Sequence, residues 1–102
     1  MLTSKQRAYL RSMAAEADTI VQIGKGGITE SVIRQVDEAL TARELVKGRV
    51  LEAALLTARE ACDALSESCG ADGVQCIGSK FVLYRANKKA PKITFPKERK
   101  GK

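Results

Sequence analysis

Thr19-Ile20-Val21-Gln22-Ile23-Gly24-Lys25-Gly26-Gly27-Ile28-Thr29 reads as a strand, a glycine turn and the start of a helix in one short stretch. The β-branched run over 19–23 predicts a buried strand. Glycines after it let backbone N–H groups approach a ligand closely, because no Cβ intervenes and positive φ is open to them. A helix beginning near Thr29 adds unpaired N–H donors and the positive end of its dipole. With Lys25 inside the turn, these features make a phosphate-binding corner. The competing reading is a tight turn that uses glycine for geometry alone.

Outward from this stretch, Val32, Ile33, Val36, Ala39 and Leu40 form the apolar stripe of a helix running from Thr29 to about Leu40. Upstream, Thr3-Ser4-Lys5-Gln6 fits a capping box that opens a helix to about Ala17, burying Leu10, Met13, Ala14 and Ala17. Residues 44–51 predict a second strand, with Leu45, Lys47 and Arg49 on one side and Val46, Gly48 and Val50 on the other. Leu55, Ala58, Cys62, Leu65 and Cys69 fall on one face of a third helix over 54–69, ended by Gly70. Residues 73–77 and 80–85 then pair as a hairpin about Gly78-Ser79. The order α-β-α-β-α-β-β predicts a two-layer α/β domain with a four-stranded mixed sheet. With helices on one sheet face, Lys47 and Arg49 would lie on the open side.

The chain of 102 residues suits one domain with a modest core. Its net charge of +6 is concentrated at the end: from Arg85 onward there are eight basic residues and one acid, Glu98. Residues 1–84 therefore carry a net charge of −1. This divides the chain into a folded domain over 1–86 and a basic, partly mobile tail over 87–102. Such a tail suggests a polyanionic partner or a solubilising extension. No run approaches the ~20 apolar residues of a membrane span, and the N-terminus lacks a signal pattern, so the expected compartment is the cytoplasm. Cys62, Cys69 and Cys76 lack the short spacings of a metal site, and the chain has no histidine. They read as core thiols, with no metal or cofactor expected. The absence of histidine and of a nucleophile with a nearby base also argues against an enzyme.

Two phosphate motifs fail on the glycine turn. A mononucleotide loop needs Ser or Thr directly after Gly-Lys, where Gly26 stands, and a dinucleotide fingerprint needs glycine at Thr29. What remains is G-x-x-G over Gly24 to Gly27, a pattern that clamps a sugar-phosphate backbone in some RNA binders. Only Tyr9, Phe81, Tyr84 and Phe95 are aromatic, too few for an extended base-stacking platform. Recognition through phosphates and shape is the expectation.

The stretch Gln22-Ile23-Gly24-Lys25-Gly26-Gly27-Ile28-Thr29 resembles the loop signature of the CRM domain, the YhbY-like RNA-binding family. Glu44-Leu45-Val46-Lys47 is similar to its second-strand motif, and residues 73–85 resemble its closing hairpin. Leu2-Thr3-Ser4-Lys5-Gln6-Arg7 and Leu10-Arg11 are similar to its first helix. The likeness runs through residues 2–95, with Cys76 where an aliphatic residue is expected. It implies a fold like the C-terminal domain of bacterial translation initiation factor three, preceded by a helix. It also implies a single-domain RNA-binding protein associated with large-subunit ribosomal RNA or its precursor particle, expected as a monomer. On this reading Gly24, Lys25, Gly26, Gly27 and Thr29 form the RNA-contacting loop. Lys5, Arg11, Lys47 and Arg49 are further candidate phosphate contacts, and Arg85, Lys88 and Lys89 a basic extension. The alternative function is a protein-interaction module docking on ribosomal proteins, with a purely structural glycine loop.

Overall fold

The computed structural model describes residues 2–86. The elements are α1 (Ser4–Ala15), β1 (Val21–Ile23), α2 (Glu30–Arg43), β2 (Leu45–Val50), α3 (Ala58–Cys69), β3 (Asp72–Ile77) and β4 (Lys80–Tyr84). Each helix starts at a threonine whose hydroxyl accepts a backbone N–H: Thr3 from Gln6, Thr29 from Val32 and Thr57 from Glu60. The Gln6 and Glu60 side chains reach back to complete capping boxes. Gly70, in the left-handed region at φ 63°, ends α3 as expected.

The sheet order is β1-β2-β4-β3. β1 and β2 are parallel across the α2 crossover, whereas β4 lies antiparallel to both β2 and β3. The strand from the hairpin is thus inserted between β2 and β3. Gly78, at φ 60°, turns that hairpin.

On one sheet face, α2 and α3 bury Val36, Leu40, Ala61, Cys62 and Leu65 against Val21, Ile23, Val46, Phe81 and Leu83. A fully buried large apolar side chain such as Phe81 contributes roughly 1.5–3 kcal/mol. Gly48 makes room for it: a Cβ there would stand 2.2 Å from the Phe81 ring.

This layer follows the sequence reading; α1 adds something beyond it. Leu10 and Ala14 pack on the opposite face, over Val74, Val82 and Tyr84. The face expected to be open is therefore covered in part, and the uncovered part adjoins the glycine turn. Leu55 also departs from expectation. The Thr57–Glu60 capping box starts α3 at Ala58, so Leu55 falls in the preceding loop and is 95% exposed. Ala54 and Leu56 join the core instead.

Candidate nucleic-acid interface

Residues 24–27 form a closed turn at the end of β1, with the Gly27 N–H donating to the Gly24 carbonyl at 2.9 Å. Only Gly27 takes positive φ, at 71°. Gly24 and Gly26 do not, and a Cβ at either would make ordinary contacts: Leu51 Cδ1 at 3.8 Å for Gly24 and Thr29 Cγ2 at 3.6 Å for Gly26. The fold thus requires one glycine of the three. The other two leave the backbone bare on an exposed or half-exposed surface.

Among the described residues, none accepts from the N–H groups of Lys25 and Gly26 in the turn, or from Glu30 and Ser31 at the start of α2. Gly26 lies against Thr29, the N-cap of α2, so the turn that carries the exposed Lys25 adjoins the positive end of the α2 dipole. Thr29 caps α2 by accepting from Val32 N–H at 3.2 Å, which leaves its own O–H available to donate outward. Glu30 lines a groove with Ile33, Arg34, Asp37 and Ser68, on the α2–α3 side.

Strand register brings more cations to this end of the sheet. Gln22 pairs with Arg49, Arg49 with Lys80 and Lys80 with Ile77, so the four lie in one row across all four strands. All are exposed on the face that α1 leaves uncovered. Lys80, absent from the sequence candidates, joins Arg49 only because β4 is inserted beside β2. Contacts between backbones hold the neighbouring loops in place: Leu51 N–H donates to Ile23 O at 2.8 Å and Val50 N–H to Ser79 O at 2.7 Å.

The remaining candidates are placed differently. Lys47 is half-buried, and its Nζ donates to the Ala14 and Ala17 carbonyls at 3.0 and 3.5 Å. It caps the carboxyl end of α1, whose last turn has no basic residue of its own. Lys5 and Arg11 are exposed on α1. Lys5 lies near the helix start, where Arg7 reaches the Gly73 carbonyl at the sheet end remote from the turn.

Arg85 follows β4 at that same remote end. Its guanidinium donates to Asp37 Oδ1 (2.6 Å), Cys69 O (2.8 Å), Asp37 O (3.0 Å) and Thr41 Oγ1 (2.8 Å). Rather than extending outward as a free cation, it ties β4 to α2 and α3. Lys88 and Lys89 lie outside the described residues.

Cys69 Sγ donates to the Ile33 carbonyl at 3.7 Å and Cys76 Sγ to the Ala58 carbonyl at 3.8 Å. Burial, followed by contact with the Cys76 thiol, pushes Cys62 up to about 12, so it is protonated at neutral pH. No cluster of three or more metal-ligating side chains occurs among the described residues.

Comparison with known proteins agrees with this architecture. The solution structure of the Staphylococcus aureus protein SAV1595 superposes with a TM-score of 0.78 at 47% identity, covering 94% of this chain and 100% of that one. A Bacillus subtilis relative named "Probable RNA-binding protein YqeI" is 41% identical over 96 residues, covering 94% of this chain and all of the relative. A Haemophilus influenzae relative named "RNA-binding protein" is 34% identical over 97 residues, covering 95% of this chain and 97% of that one. The family described as the CRS1 / YhbY (CRM) domain matches residues 2–85. With its first helix, glycine turn, mixed sheet and closing hairpin all inside that match, this chain belongs to the CRS1 / YhbY (CRM) domain family.

Proposed function

We propose that this chain binds RNA without catalysing a reaction, and that it does so as a monomer in assembly of the large ribosomal subunit. The observation that carries RNA binding is the bare turn: two glycines the fold does not require stand beside unpaired N–H donors and Lys25. A phosphate there would accept from the turn and the start of α2, with Lys25 offsetting its charge. Arg49 and Lys80 extend the positive surface along the strand row, and the basic segment 87–102 adds longer-range attraction. The names of the relatives support RNA as the ligand class.

Binding to fragments of large-subunit ribosomal RNA, followed by fluorescence anisotropy across a salt series, tests the contact. Three neutralised phosphates give a log–log slope of about −2 on single-stranded RNA. Gly26→Asp places a carboxylate in the turn without demanding a strained backbone, so affinity falls while the thermal midpoint holds. Salt-independent affinity, or unchanged binding by Gly26→Asp, removes the phosphate role of the turn. Crosslinking in cells tests the assembly role, which fails if messenger or transfer RNA is recovered and large-subunit RNA is not. Capture of a ribosomal protein that survives nuclease treatment, with no RNA affinity, would favour the protein-docking alternative.

A further inference from the structure

We infer that the uncovered part of the sheet selects single-stranded RNA over duplex, by seating an unstacked base in the depression lined by Lys47, Gln75, Ile77, Lys80 and Val82. This rests on the RNA-binding reading above and adds the conformation of the RNA to it. The depression, of about 180 Å³, lies where α1 stops covering the sheet. Its floor is apolar at Val82, which is buried, and its rim includes Ile77, which is 64% exposed. A large aliphatic side chain left in water beside two lysines gains from contact with a base, but gains nothing from the phosphate exterior of a duplex.

The polar lining suits the same occupant. The Gln75 side-chain amide makes no hydrogen bond with another described residue, so it can both donate to and accept from a base edge. Lys47 is held in place by the Ala14 and Ala17 carbonyls, and Lys80 stands in the row with Arg49. None of the five lining residues is acidic. This charge complementarity selects a polyanion over an apolar peptide.

The positions of the depression and the turn set a length. Ile77 lies on the far edge strand from Gln22, three inter-strand steps or roughly 15 Å away at the usual strand spacing. One RNA strand touching both the turn and the depression therefore spans about four or five nucleotides at stacked spacing.

The test compares one mixed-sequence RNA as a single strand and as a duplex of the same length. Each is titrated into the full chain and into its Ile77→Ser and Lys25→Ala variants. Ile77 is exposed, and an unchanged thermal midpoint confirms that its variant is folded. The expected result is tighter binding of the single strand by the unaltered chain. Ile77→Ser then weakens the single strand by about fivefold, leaves the duplex unchanged and narrows the preference. In parallel, single-stranded RNA shifts the NMR signals of the Gln75 side-chain amide and the Ile77 methyls. Equal loss on both RNA forms, no loss on either, or unmoved Gln75 and Ile77 signals overturns the inference. In those cases a loss of both RNA forms by Lys25→Ala leaves the RNA-binding reading standing. If the unaltered chain binds neither form, both readings fall.

Discussion

Replacing Arg85 with alanine should destabilise the domain and leave RNA affinity of the folded protein unchanged. The guanidinium supplies four hydrogen bonds, at 2.6 to 3.0 Å, to α2 and to the last turn of α3. The Arg85 side chain is 24% exposed, but Asp37 is 56% exposed, so the ion pair itself is worth about 0.5 kcal/mol. The larger loss comes from the carbonyls. Cys69 O, part-buried at the end of α3, would lose its donor at a cost of about 1–3 kcal/mol. Together these give about 1.5–3.5 kcal/mol, or a fall in thermal midpoint on the order of 10–20 °C for a domain of this size. Arg85→Lys should recover only part of this, because an ammonium cannot reproduce the fork that spans Asp37, Cys69 and Thr41. Thermal unfolding by circular dichroism reads the stability, and RNA anisotropy well below both midpoints reads the binding. An unchanged midpoint together with roughly tenfold weaker RNA binding would refute the reasoning, since it would make Arg85 a surface contact.

Gly48→Ala should cost about 3 kcal/mol by overpacking, because its Cβ would stand 2.2–2.8 Å from three Phe81 ring atoms. Combining it with Phe81→Leu should cost less than the sum of the single changes in urea unfolding; strict additivity would separate Gly48 from the ring. Gly27→Ala should lose about 1 kcal/mol for its left-handed backbone, while Gly26→Ala stays near neutral in the same assay. Alkaline pH should destabilise the fold. Burial raises Cys62 from 9.0 to about 12, with Cys69 and Tyr84 shifted the same way, also chiefly by burial. The folded state therefore favours the protonated thiol: stability is intact below pH 9.0 and lost as pH rises towards about 12. Cys62→Ala should flatten that loss in urea midpoints measured across the range, and an unchanged slope would acquit the thiol.

What could be read from the sequence divides by how far apart the interacting groups lie in the chain. Thr3 and Gln6 form a capping box that is visible in four letters, and Gly70 and Gly78 mark turns by their own backbone needs. Thr57 and Glu60 carry an equally local signal. There, apolar periodicity pulled the expected helix start back to residue 54 and placed Leu55 in the core, whereas the cap holds it out in water. A helix begins where its first orphan N–H groups find acceptors, and Leu55 precedes that point. The turn at Gly24–Gly27 was legible in outline, but which of its glycines the fold requires was not. That depends on φ and on neighbours such as Leu51, which comes from another strand end.

Arg49 and Arg85 show why the positive surface was the hardest part to read. Both are arginines on or beside a strand, and residue type alone makes them equivalent cations. Asp37 and Thr41 lie more than forty residues from Arg85, and they turn its guanidinium into an internal tie. Arg49 has Gln22 and Lys80 as its neighbours in the row, and neither can neutralise it. Lys80 reaches that row because the hairpin strand enters between β2 and β3 instead of adding at the sheet edge. Were β3 to pair with β2 and β4 to take the edge, Lys80 would lie a strand further from Arg49. The strand order therefore both gathers Lys80 with Arg49 beside the turn and leaves Arg85 at the opposite end, among the helices that hold it.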